Sequence, residues 1–339
     1  MTDLAGIVVS SRIRLARNIK GYRFPSELKD PDEARKIINL TYSALGKYGP
    51  FNYVKMSECD PMLKESLKER YVISLALQKS RMGAVAYSNS GDLSVMINEE
   101  DHIREQYFVQ GNDLGGAFTK LSRLDNWLDV NLHFCKNERL GYITACPTNL
   151  GTGMRASVMM FLPGHVKLQR LDELESSARS RNLTVRGAFG EGSDGDSFLY
   201  QISNEVTLGH SERSMIQSVA DFVNKVAEEE LELQRIYYRS DELRVEDCIF
   251  RSLGKLLYCR RISYGEFSSA LSDIKLGVTL GLINVKVVHA LDDLLVCARP
   301  CYLLELSKDR RDGYTNPTYR DELRAKFVRE RLATLVIDS

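Results

Sequence analysis

Hydrophobic and polar positions follow two successive patterns along the chain, and the change comes near residue 210. Before it, short β-rich runs are separated by segments whose apolar residues recur at helical spacing, at 32–45, 112–125 and 170–180. The strand-like runs are GIVVSSRIRL, GAVAYS, LSVMINEE, GYITACP, ASVMMFLP, LTVRGAFG and SFLYQISN. Because strands and helices do not alternate regularly, the pattern favours an α+β fold, an antiparallel sheet with flanking helices, over a doubly wound parallel sheet.

After residue 210 the apolar residues recur at helical spacing. Met215, Val219, Phe222 and Val226 begin this pattern, and several amphipathic segments follow them. The boundary falls after a long connecting helix, near residue 238. The sequence therefore predicts an α+β domain over residues 1–238 and an all-α domain over 239–339, of a size that suits oligomerisation or regulation.

Composition narrows the class of protein. Lys and Arg total 46 and so do Asp and Glu, so the net charge is zero, which argues against nucleic-acid binding through bulk charge. No apolar run approaches the roughly 20 residues of a membrane helix, and the N-terminus lacks the pattern of a signal peptide. The seven cysteines form no CxxC pair and no Cys/His cluster. We expect reduced thiols, a cytoplasmic location and no membrane association.

The usual phosphate-binding signals, GxxxxGK[ST], GxGxxG, HRD and DFG, are missing from the sequence. Arginines beside strand ends take their place. In the strand that contains Ser10 and Ser11, Arg12 and Arg14 flank Ile13 and point to the same face. Two guanidinium groups there suit phosphate oxygens, although a solvated strand face would also explain them.

Three further segments combine charge with turn residues. The passage from Cys146 to Arg155 is rich in turns, and the passage from Arg186 to Ser193 is rich in glycine. Either one is also compatible with a plain connection between strands. Residues 98–104 (NEEDHIR) hold three carboxylates, a histidine and an arginine. Consecutive carboxylates cannot all face one ion, so we identify no metal ligand from the protein.

Together these segments resemble the ATP:guanido phosphotransferase (phosphagen kinase) family, through SSRxR, NEEDHxR, CPxNxGTGxRA and VRGxxGE. The resemblance implies a guanido kinase catalytic domain that uses ATP and Mg²⁺. It implies three catalytic residues, Glu100, Cys146 and Glu191. The ATP-binding residues that it implies are Ser10, Ser11, Arg12, Ile13, Arg14, Arg104, Arg155, Ala156, Ser157, Val158, Met159, Arg186, Gly187, Ala188, Phe189, Gly190 and Glu191.

The acceptor chemistry limits what the carboxylates can do. A guanidinium has a pKa of about 13.8, so deprotonating it at pH 7 costs roughly 9 kcal/mol. Nearby carboxylates favour the cation and would raise that pKa further. We therefore expect Glu100 and the second acid, Glu191, to orient the guanidinium and accept its proton as the P–N bond forms.

Two features resemble bacterial protein arginine kinases in particular. Only nine residues precede Ser10, where small-molecule phosphagen kinases carry a helical domain that closes over their substrate. An RDxxRA motif, which in these kinases binds phosphoarginine and acts allosterically, occurs near the C-terminus. Its first and second arginines are spaced i,i+4, so both can reach one anion. The motif comprises Arg320, Asp321, Glu322, Leu323, Arg324 and Ala325.

The resemblance implies phosphorylation of exposed arginines in proteins, which marks them for degradation and relieves repression of heat-shock genes. It implies as partners a zinc-binding activator, an unfoldase–protease and a heat-shock repressor, together with a homodimer formed through the helical domain. A kinase acting on free arginine, or a weakly active protein that binds phosphoarginine, stays open as an alternative. Met96, Phe161 and Tyr71 depart from the family pattern and are expected to affect nucleotide affinity more than the class of reaction.

Overall fold

The computed structural model describes residues 4–187, 197–307 and 316–337. In these ranges the strands are β1 (Val8–Arg17), β2 (Asn52–Lys55), β3 (Ala84–Tyr87), β4 (Leu93–Ile97), β5 (Ile103–Gln110), β6 (Lys136–Asn137), β7 (Gly141–Tyr142), β8 (Met154–Phe161), β9 (Leu183–Gly187), β10 (Leu199–Asn204), β11 (Asn284–Val285) and β12 (Val336–Ile337). The helices are α1 (Pro31–Tyr48), α2 (Pro61–Glu69), α3 (Leu75–Lys79), α4 (Leu114–Leu132), α5 (Pro163–Lys167), α6 (Leu171–Arg179), α7 (Glu212–Ser240), α8 (Glu242–Tyr258), α9 (Tyr264–Thr279), α10 (His289–Cys297), α11 (Pro300–Ser307) and α12 (Pro317–Leu335).

One eight-stranded sheet dominates the fold, in the order β2-β3-β4-β5-β1-β8-β10-β9. The pairs from β2 to β1 are antiparallel. In the β1–β5 pair Arg12 lies opposite Phe108, and Ala16 lies opposite Arg104. The predicted antiparallel α+β fold with a helical C-terminal region is confirmed. None of the described helices combines the length and the apolar character that crossing a bilayer requires.

Local sequence explains where several helices begin. The three helical segments predicted before residue 210 correspond to α1, α4 and α6. The Asp30 carboxylate accepts a hydrogen bond from the Asp32 amide, and Pro31 opens α1. Asn316 and Pro317 begin α12 in the same way. An Asp or Asn cap followed by proline satisfies a free amide and presets the helical φ, so these starts are local features.

The chain divides into two compact units. One comprises residues 10–157 and 203–220, and the other comprises 1–9, 158–202 and 221–339. We call them the NEED unit, which contains residues 98–104, and the helical unit. The predicted division into domains 1–238 and 239–339 stays a prediction.

In the NEED unit, α1 and α4 pack on one face of the central strands. The buried apolar residues of this layer include Ile37, Leu45, Val95, Ile97, Leu124 and Leu128. A smaller core under α2 and α3 contains Met56, Leu67, Leu77 and Met96. The layer on α1 and α4 covers one face of β1 and β5, which leaves the other face available for polar side chains.

The helical unit contains a large core. Its buried residues include Phe161, Leu199, Ile249, Leu253, Phe267, Ile274, Val328 and Leu332. Side chains from α8, α9 and α12 supply most of them. The helical periodicity of these three helices is therefore the pattern of helices that share one core.

Candidate active site

Strand β1 presents two arginines on one face and buries the residues between and beside them. Ile13 and Leu15 are at most 1% exposed, whereas Arg12 and Arg14 are half-buried. The period of two along a strand produces this separation. The predicted convergence of the two guanidinium groups on one site is thus a direct result of strand geometry.

Arg104 and Arg155 join this pair to form what we call the arginine cluster. Burial lowers the pKa of Arg12 to about 10, with contributions from the charges of Arg104 and Arg155. Burial also lowers the pKa of Arg14 well below its usual range, helped by the charges of Arg12, Arg104 and Arg155. The charges of Arg104 and Arg155 act on both Arg12 and Arg14, so these four arginines lie close together.

Among the described residues, neutral side chains contact Arg12 and Arg155. Arg12 Nε lies 3.5 Å from Ser157 Oγ, and its guanidinium lies 5.1 Å from the Phe108 ring centroid. Arg155 donates from Nε and Nη2 to Ser203 Oγ at 3.2 and 3.1 Å. Arg14 Nε is buried and has no hydrogen-bond partner among the described residues. Such an arrangement favours a polyanion, because its oxygens would supply the missing acceptors and charge.

Glu99 fixes Arg104 at the edge of this cluster. Arg104 Nη1 donates to both Glu99 carboxylate oxygens at 2.9 and 2.7 Å, and Ser74 Oγ donates to the same carboxylate. Burial alone would raise the pKa of Glu99, but the Arg104 charge and these hydrogen bonds lower it overall. The sequence did not identify Ser74 as part of the site. Its only local signal was its position as the N-cap of α3.

Glu100 and Cys146 lie next to each other, although 46 positions separate them in the sequence. Partial burial raises the pKa of Glu100, as do the charges of Asp101 and Glu99, while Arg104 and a hydrogen bond with Cys146 oppose the rise. Cys146 Sγ also lies 3.0 Å from Thr148 Oγ1. A carboxylate with a raised pKa beside a cationic cluster is suited to binding a guanidinium and accepting a proton from it.

Asp101 and His102, also in the NEEDH segment, hold the loops around it. Asp101 accepts from Asn18 Nδ2 at 2.6 Å and from the Ala145 amide at 2.7 Å. His102 Nδ1 accepts from the Ile19 amide at 3.1 Å, so the ring is neutral and Nε2 donates to the Arg23 carbonyl at 2.6 Å. Burial lowers the pKa of His102 accordingly. The charged and polar residues of this segment thus have two kinds of role, since Glu100 is suited to the chemistry whereas Asp101 and His102 hold the neighbouring loops.

The loop from Cys146 to Arg155 is fixed by residues distant in sequence. Thr207 Oγ1 contacts the Thr148 and Leu150 carbonyls at 2.9 and 2.5 Å. Asn204 Oδ1 accepts from the Ala156 amide at 2.8 Å. Neither Thr207 nor Asn204 carried a signal in the sequence, because these contacts exist only after residues 203–220 pack against the loop.

Ser10 and Ser11 lie on β1 in the NEED unit. The remaining predicted ATP-binding residues lie in the helical unit or outside the described part. Val158 and Met159 continue β8, and Arg186 and Gly187 end β9, where Arg186 is exposed. Ala188, Phe189, Gly190 and Glu191 lie outside the described residues. Within those ranges, no group of three or more His, Cys, Asp and Glu side chains is placed to hold a metal ion.

The three departures from the family pattern have different surroundings. Met96 is 2% exposed in the small core of the NEED unit. Phe161 is 1% exposed in the core of the helical unit, 6.2 Å from Phe198 between ring centroids. Tyr71 has a positive φ of 60° and lies 6.5 Å from the Phe108 ring that Arg12 covers. Tyr71 is therefore the departure that lies close to the arginine cluster.

The RDxxRA motif lies on α12 in the helical unit. Arg324 is 1% exposed and donates to the Ala298 and Ile262 carbonyls, both at 2.9 Å, and to Asp321 at 2.6 Å. Burial lowers the pKa of Arg324, and the Arg320 charge lowers it further, so the two guanidinium groups are close. Glu322 points outward to Arg261, Leu323 is half-buried, and Ala325 is buried.

Comparisons with known proteins agree on one family. The ATP:guanido phosphotransferase C-terminal catalytic domain matches residues 33–233, and the protein-arginine kinase McsB C-terminal domain matches residues 242–338. The protein-arginine kinase of Geobacillus stearothermophilus is 40% identical over 332 residues, covering 96% of this chain and 90% of the relative. That of Bacillus cereus strain G9842 is 38% identical, covering 96% and 92%.

Solved structures of guanido kinases have a similar fold. A lombricine kinase matches with a TM-score of 0.61 and 27% identity, covering 68% of each chain. The duplicated taurocyamine kinase of Schistosoma mansoni, with bound components of a transition-state analogue, matches with a TM-score of 0.60 and 26% identity, covering 66% of this chain and 33% of that one. Given both domain matches and relatives aligned over nearly its whole length, this chain belongs to the protein-arginine kinase family of ATP:guanido phosphotransferases.

Proposed function

We propose that this chain transfers the γ-phosphoryl group of ATP to arginine side chains of proteins, which yields ADP and Nω-phosphoarginine. The observation that carries the proposal is the arginine cluster beside the Glu100–Cys146 pair, within one compact unit. The family supports the reaction. A cationic cluster next to a carboxylate matches a donor that is a polyanion and an acceptor that is a cation.

In this mechanism the arginine cluster binds the nucleotide phosphates. Arg14 Nε, which has no hydrogen-bond partner among the described residues, would gain an acceptor, and the negative charge would relieve the repulsion within the cluster. Mg²⁺ supplies further neutralisation of phosphate charge when bound. Because the described residues offer no carboxylate cage, the ion would be held mainly by phosphate oxygens and water. Preorganised cations of this kind stabilise the charge of a transferring phosphoryl group.

Glu100 acts on the acceptor. Its carboxylate orients the substrate guanidinium towards the γ-phosphorus, with Cys146 beside it. As the P–N bond forms and the bond to ADP breaks, the attacking nitrogen loses a proton, and Glu100 accepts it. The raised pKa of Glu100 makes it a better proton acceptor than an exposed carboxylate. Glu191 is proposed, from the resemblance, as the second carboxylate, and Arg186 as a further phosphate ligand.

The helical unit is proposed to bind phosphoarginine through Arg320 and Arg324. Arg324 is held rigidly by two backbone carbonyls, and the Arg320 charge lies near it. A phosphoryl group would be attracted to both cations. Binding there would report the presence of product, which makes the motif a regulatory site.

We further propose that two copies of the chain associate through α8. Leu243, Phe250 and Tyr258 are 78%, 41% and 75% exposed on this helix. Their spacing of seven and eight residues places them on one side of the helix. An apolar stripe of this kind favours burial against another protein surface.

The cellular role is proposed from the resemblance alone. Phosphoarginine would mark proteins for an unfoldase–protease and relieve a heat-shock repressor, with a zinc-binding protein as activator, in the cytoplasm. These partners are expected to present arginines in exposed or unfolded segments.

The test is incubation of the chain with ATP, Mg²⁺ and an unfolded protein, followed by mass spectrometry for acid-labile phosphate on arginine. Glu100→Gln should reduce the yield by at least about 100-fold, since general acid–base catalysis contributes about 10²–10⁴-fold. Glu58→Gln, a change at an exposed carboxylate, is the matched control. Absence of phosphoarginine with the wild type, or full activity of Glu100→Gln, would contradict the proposal. Equal turnover of free arginine and protein would instead favour a small-molecule arginine kinase.

A further inference from the structure

Arg17 is a buried arginine that is neither part of the arginine cluster nor one of the predicted site residues. It ends β1, is 2% exposed, and is among the largest fully buried side chains. Its odd position places it on the face of the strand opposite to Arg12 and Arg14. That face is covered by α4, which supplies the buried partner Asp125.

All three nitrogens of the Arg17 guanidinium donate hydrogen bonds. Nε and Nη2 donate to the two Asp125 oxygens at 2.7 and 3.0 Å, in a bidentate pair. Nη1 donates to the Ala16 and Thr152 carbonyls at 2.8 and 2.9 Å. The guanidinium carbon lies 3.4 Å from the centroid of the Tyr142 ring. Lysine, as a point charge without a planar fork, cannot reproduce this set of contacts.

These contacts fix the backbone that leads to Arg155. Besides the bond from Arg17 to the Thr152 carbonyl, the Ala16 amide donates to the Gly153 carbonyl at 2.9 Å. A Cβ on Gly153 would lie only 2.6 Å from Arg17 Nη1 and 2.6 Å from the Ala16 carbonyl. The chain therefore approaches Arg17 as closely as a glycine permits.

Arg155 follows two residues later and belongs to the arginine cluster. Its position depends on where β8 begins, because Met154 is the first residue of that strand. Arg17 thus lies on the face of the sheet covered by α4, while Arg155 lies on the opposite face. Thr152 and Gly153 connect the two through the backbone. A buried ion pair seldom adds stability over an apolar pair of the same size, so stability alone does not account for this one.

We propose that Arg17 is a positioning residue for the nucleotide site: together with Asp125 it holds Thr152 and Gly153 so that Arg155 faces Arg12 and Arg14. The proposal rests on the proposed function, because it assigns the arginine cluster to nucleotide phosphates. Arg17 itself does not contact the substrate. Its effect is on the affinity for nucleotide, through the placement of one member of the cluster.

The experiment compares Arg17→Lys and Asp125→Asn with Leu128→Ala. Leu128 is fully buried on α4 and packs in the same layer, so its truncation lowers stability without touching the Arg17 contacts. For each full-length variant we would measure the melting temperature, the Kd for Mg·ADP by calorimetry, and KM and kcat for ATP. All binding measurements are made well below the lowest melting temperature.

We expect Arg17→Lys and Asp125→Asn each to weaken Mg·ADP binding and to raise the KM for ATP by tenfold or more. Because both changes break the same Arg17–Asp125 ion pair, the double variant should bind Mg·ADP no more weakly than the single variant with the lower affinity. Leu128→Ala should have a lower melting temperature than the wild type, while its Kd for Mg·ADP stays within twofold of the wild-type value. Kd values for Arg17→Lys and Asp125→Asn that stay at the wild-type level, or that change no more than for Leu128→Ala, would overturn the proposal.

Failure of the proposed function is separately visible. In that case the wild type itself forms no phosphoarginine or binds no Mg·ADP. A wild type that binds Mg·ADP and forms phosphoarginine, with an unaffected Arg17→Lys variant, contradicts only the positioning role.

Discussion

At the scale of single residues, alternation along β1 and β5 separates two kinds of buried charge. Arg12, Arg14 and Arg104 point to the face with the arginine cluster, where their charges repel one another. Arg17 and Glu105 point to the face under α4, beside Asp125. One face therefore carries positive charges that repel one another, whereas the other holds a nearly neutral group of charges.

Repulsion within the arginine cluster should lower the free energy of unfolding when no ligand is bound. Replacing Arg14 with Met removes one repelling cation and keeps similar volume, so we expect stability without nucleotide to rise by about 1 kcal/mol. ATP affinity should fall sharply in the same variant. Urea unfolding with and without Mg·ATP measures both effects, and Arg213→Met, at an exposed position, serves as the control. A less stable Arg14→Met without nucleotide would show that the cluster is not strained by repulsion.

Glu105 gives a prediction with a defined pH dependence. It is fully buried, and its carboxyl group forms a hydrogen bond with Asp125. Burial raises the pKa of Glu105 well above its usual 4.5, as does the Asp125 charge, against the opposing charge of Arg17. Folding therefore favours the protonated form. Its stabilising effect is complete below pH 4.5 and is lost as the pH rises from there through the folded pKa.

Glu105→Gln keeps the shape of the neutral form and does not titrate. Its free energy of unfolding, relative to that of the wild type, should therefore increase as the pH rises from 5 to 8. Denaturant unfolding at both pH values measures this difference. An identical difference at pH 5 and pH 8 would mean that folding does not raise the pKa of Glu105.

At the scale of elements, two glycines with positive φ can be compared, one within the loop from Cys146 to Arg155 and one beyond it. Gly151 has a φ of 103°, and a Cβ there would lie 2.7 Å from the Thr207 carbonyl. Gly209 also has a positive φ, 81°, but a Cβ there would meet nothing within 4 Å. The pair therefore separates the cost of backbone conformation from the cost of crowding.

Gly209→Ala should lower the free energy of unfolding by about 1 kcal/mol, because a residue with a Cβ is strained in the left-handed conformation. Gly151→Ala should lose at least about 1 kcal/mol more, because the Thr207 backbone must move. It should also lower kinase activity, since Cys146 and Arg155 lie at the two ends of this loop. Urea unfolding and the phosphoarginine assay test both effects, and equal losses for the two variants would contradict the role of crowding.

At the scale of the whole molecule, the two units have separate assignments. The NEED unit holds the arginine cluster with Glu100 and Cys146, and the helical unit holds α8 and the RDxxRA motif. The match to the catalytic-domain family ends at residue 233 and that to the C-terminal domain begins at 242. The chain thus matches a catalytic-domain family over its first part and a C-terminal-domain family over its last part.

The association surface can be tested by introducing charge. Leu243→Asp and Tyr258→Asp place a carboxylate on the exposed stripe of α8 and should convert a dimer to monomer, because burying an unpaired charge is costly. Val130→Asp, at a position 74% exposed on α4, should leave the mass unchanged. Analytical ultracentrifugation gives the masses. A dimer that persists in both α8 variants would place the interface elsewhere.

The sequence by itself determined the class of fold, the family and the main charged residues. Period-two runs, helical periodicity and capping residues are local signals, so β1, α1, α4 and α12 follow from neighbouring residues. That Arg12 and Arg14 point to the same face of β1 also follows from local sequence, because side chains alternate along a strand. The NEEDH segment was identified as chemically important by its charge, and the family resemblance singled out Glu100. No local signal indicated the structural contacts of Asp101 and His102.

Only the tertiary structure decided which distant residues complete each group. The pairing of Glu100 with Cys146, the support of the loop by Thr207 and Asn204, and the engagement of Arg324 by backbone carbonyls all join segments far apart in sequence. Arg17 illustrates the reason. One arginine among the 46 basic residues has no distinguishing local pattern, and its contacts with Asp125 and Thr152 exist only once the sheet, α4 and the loop have packed together.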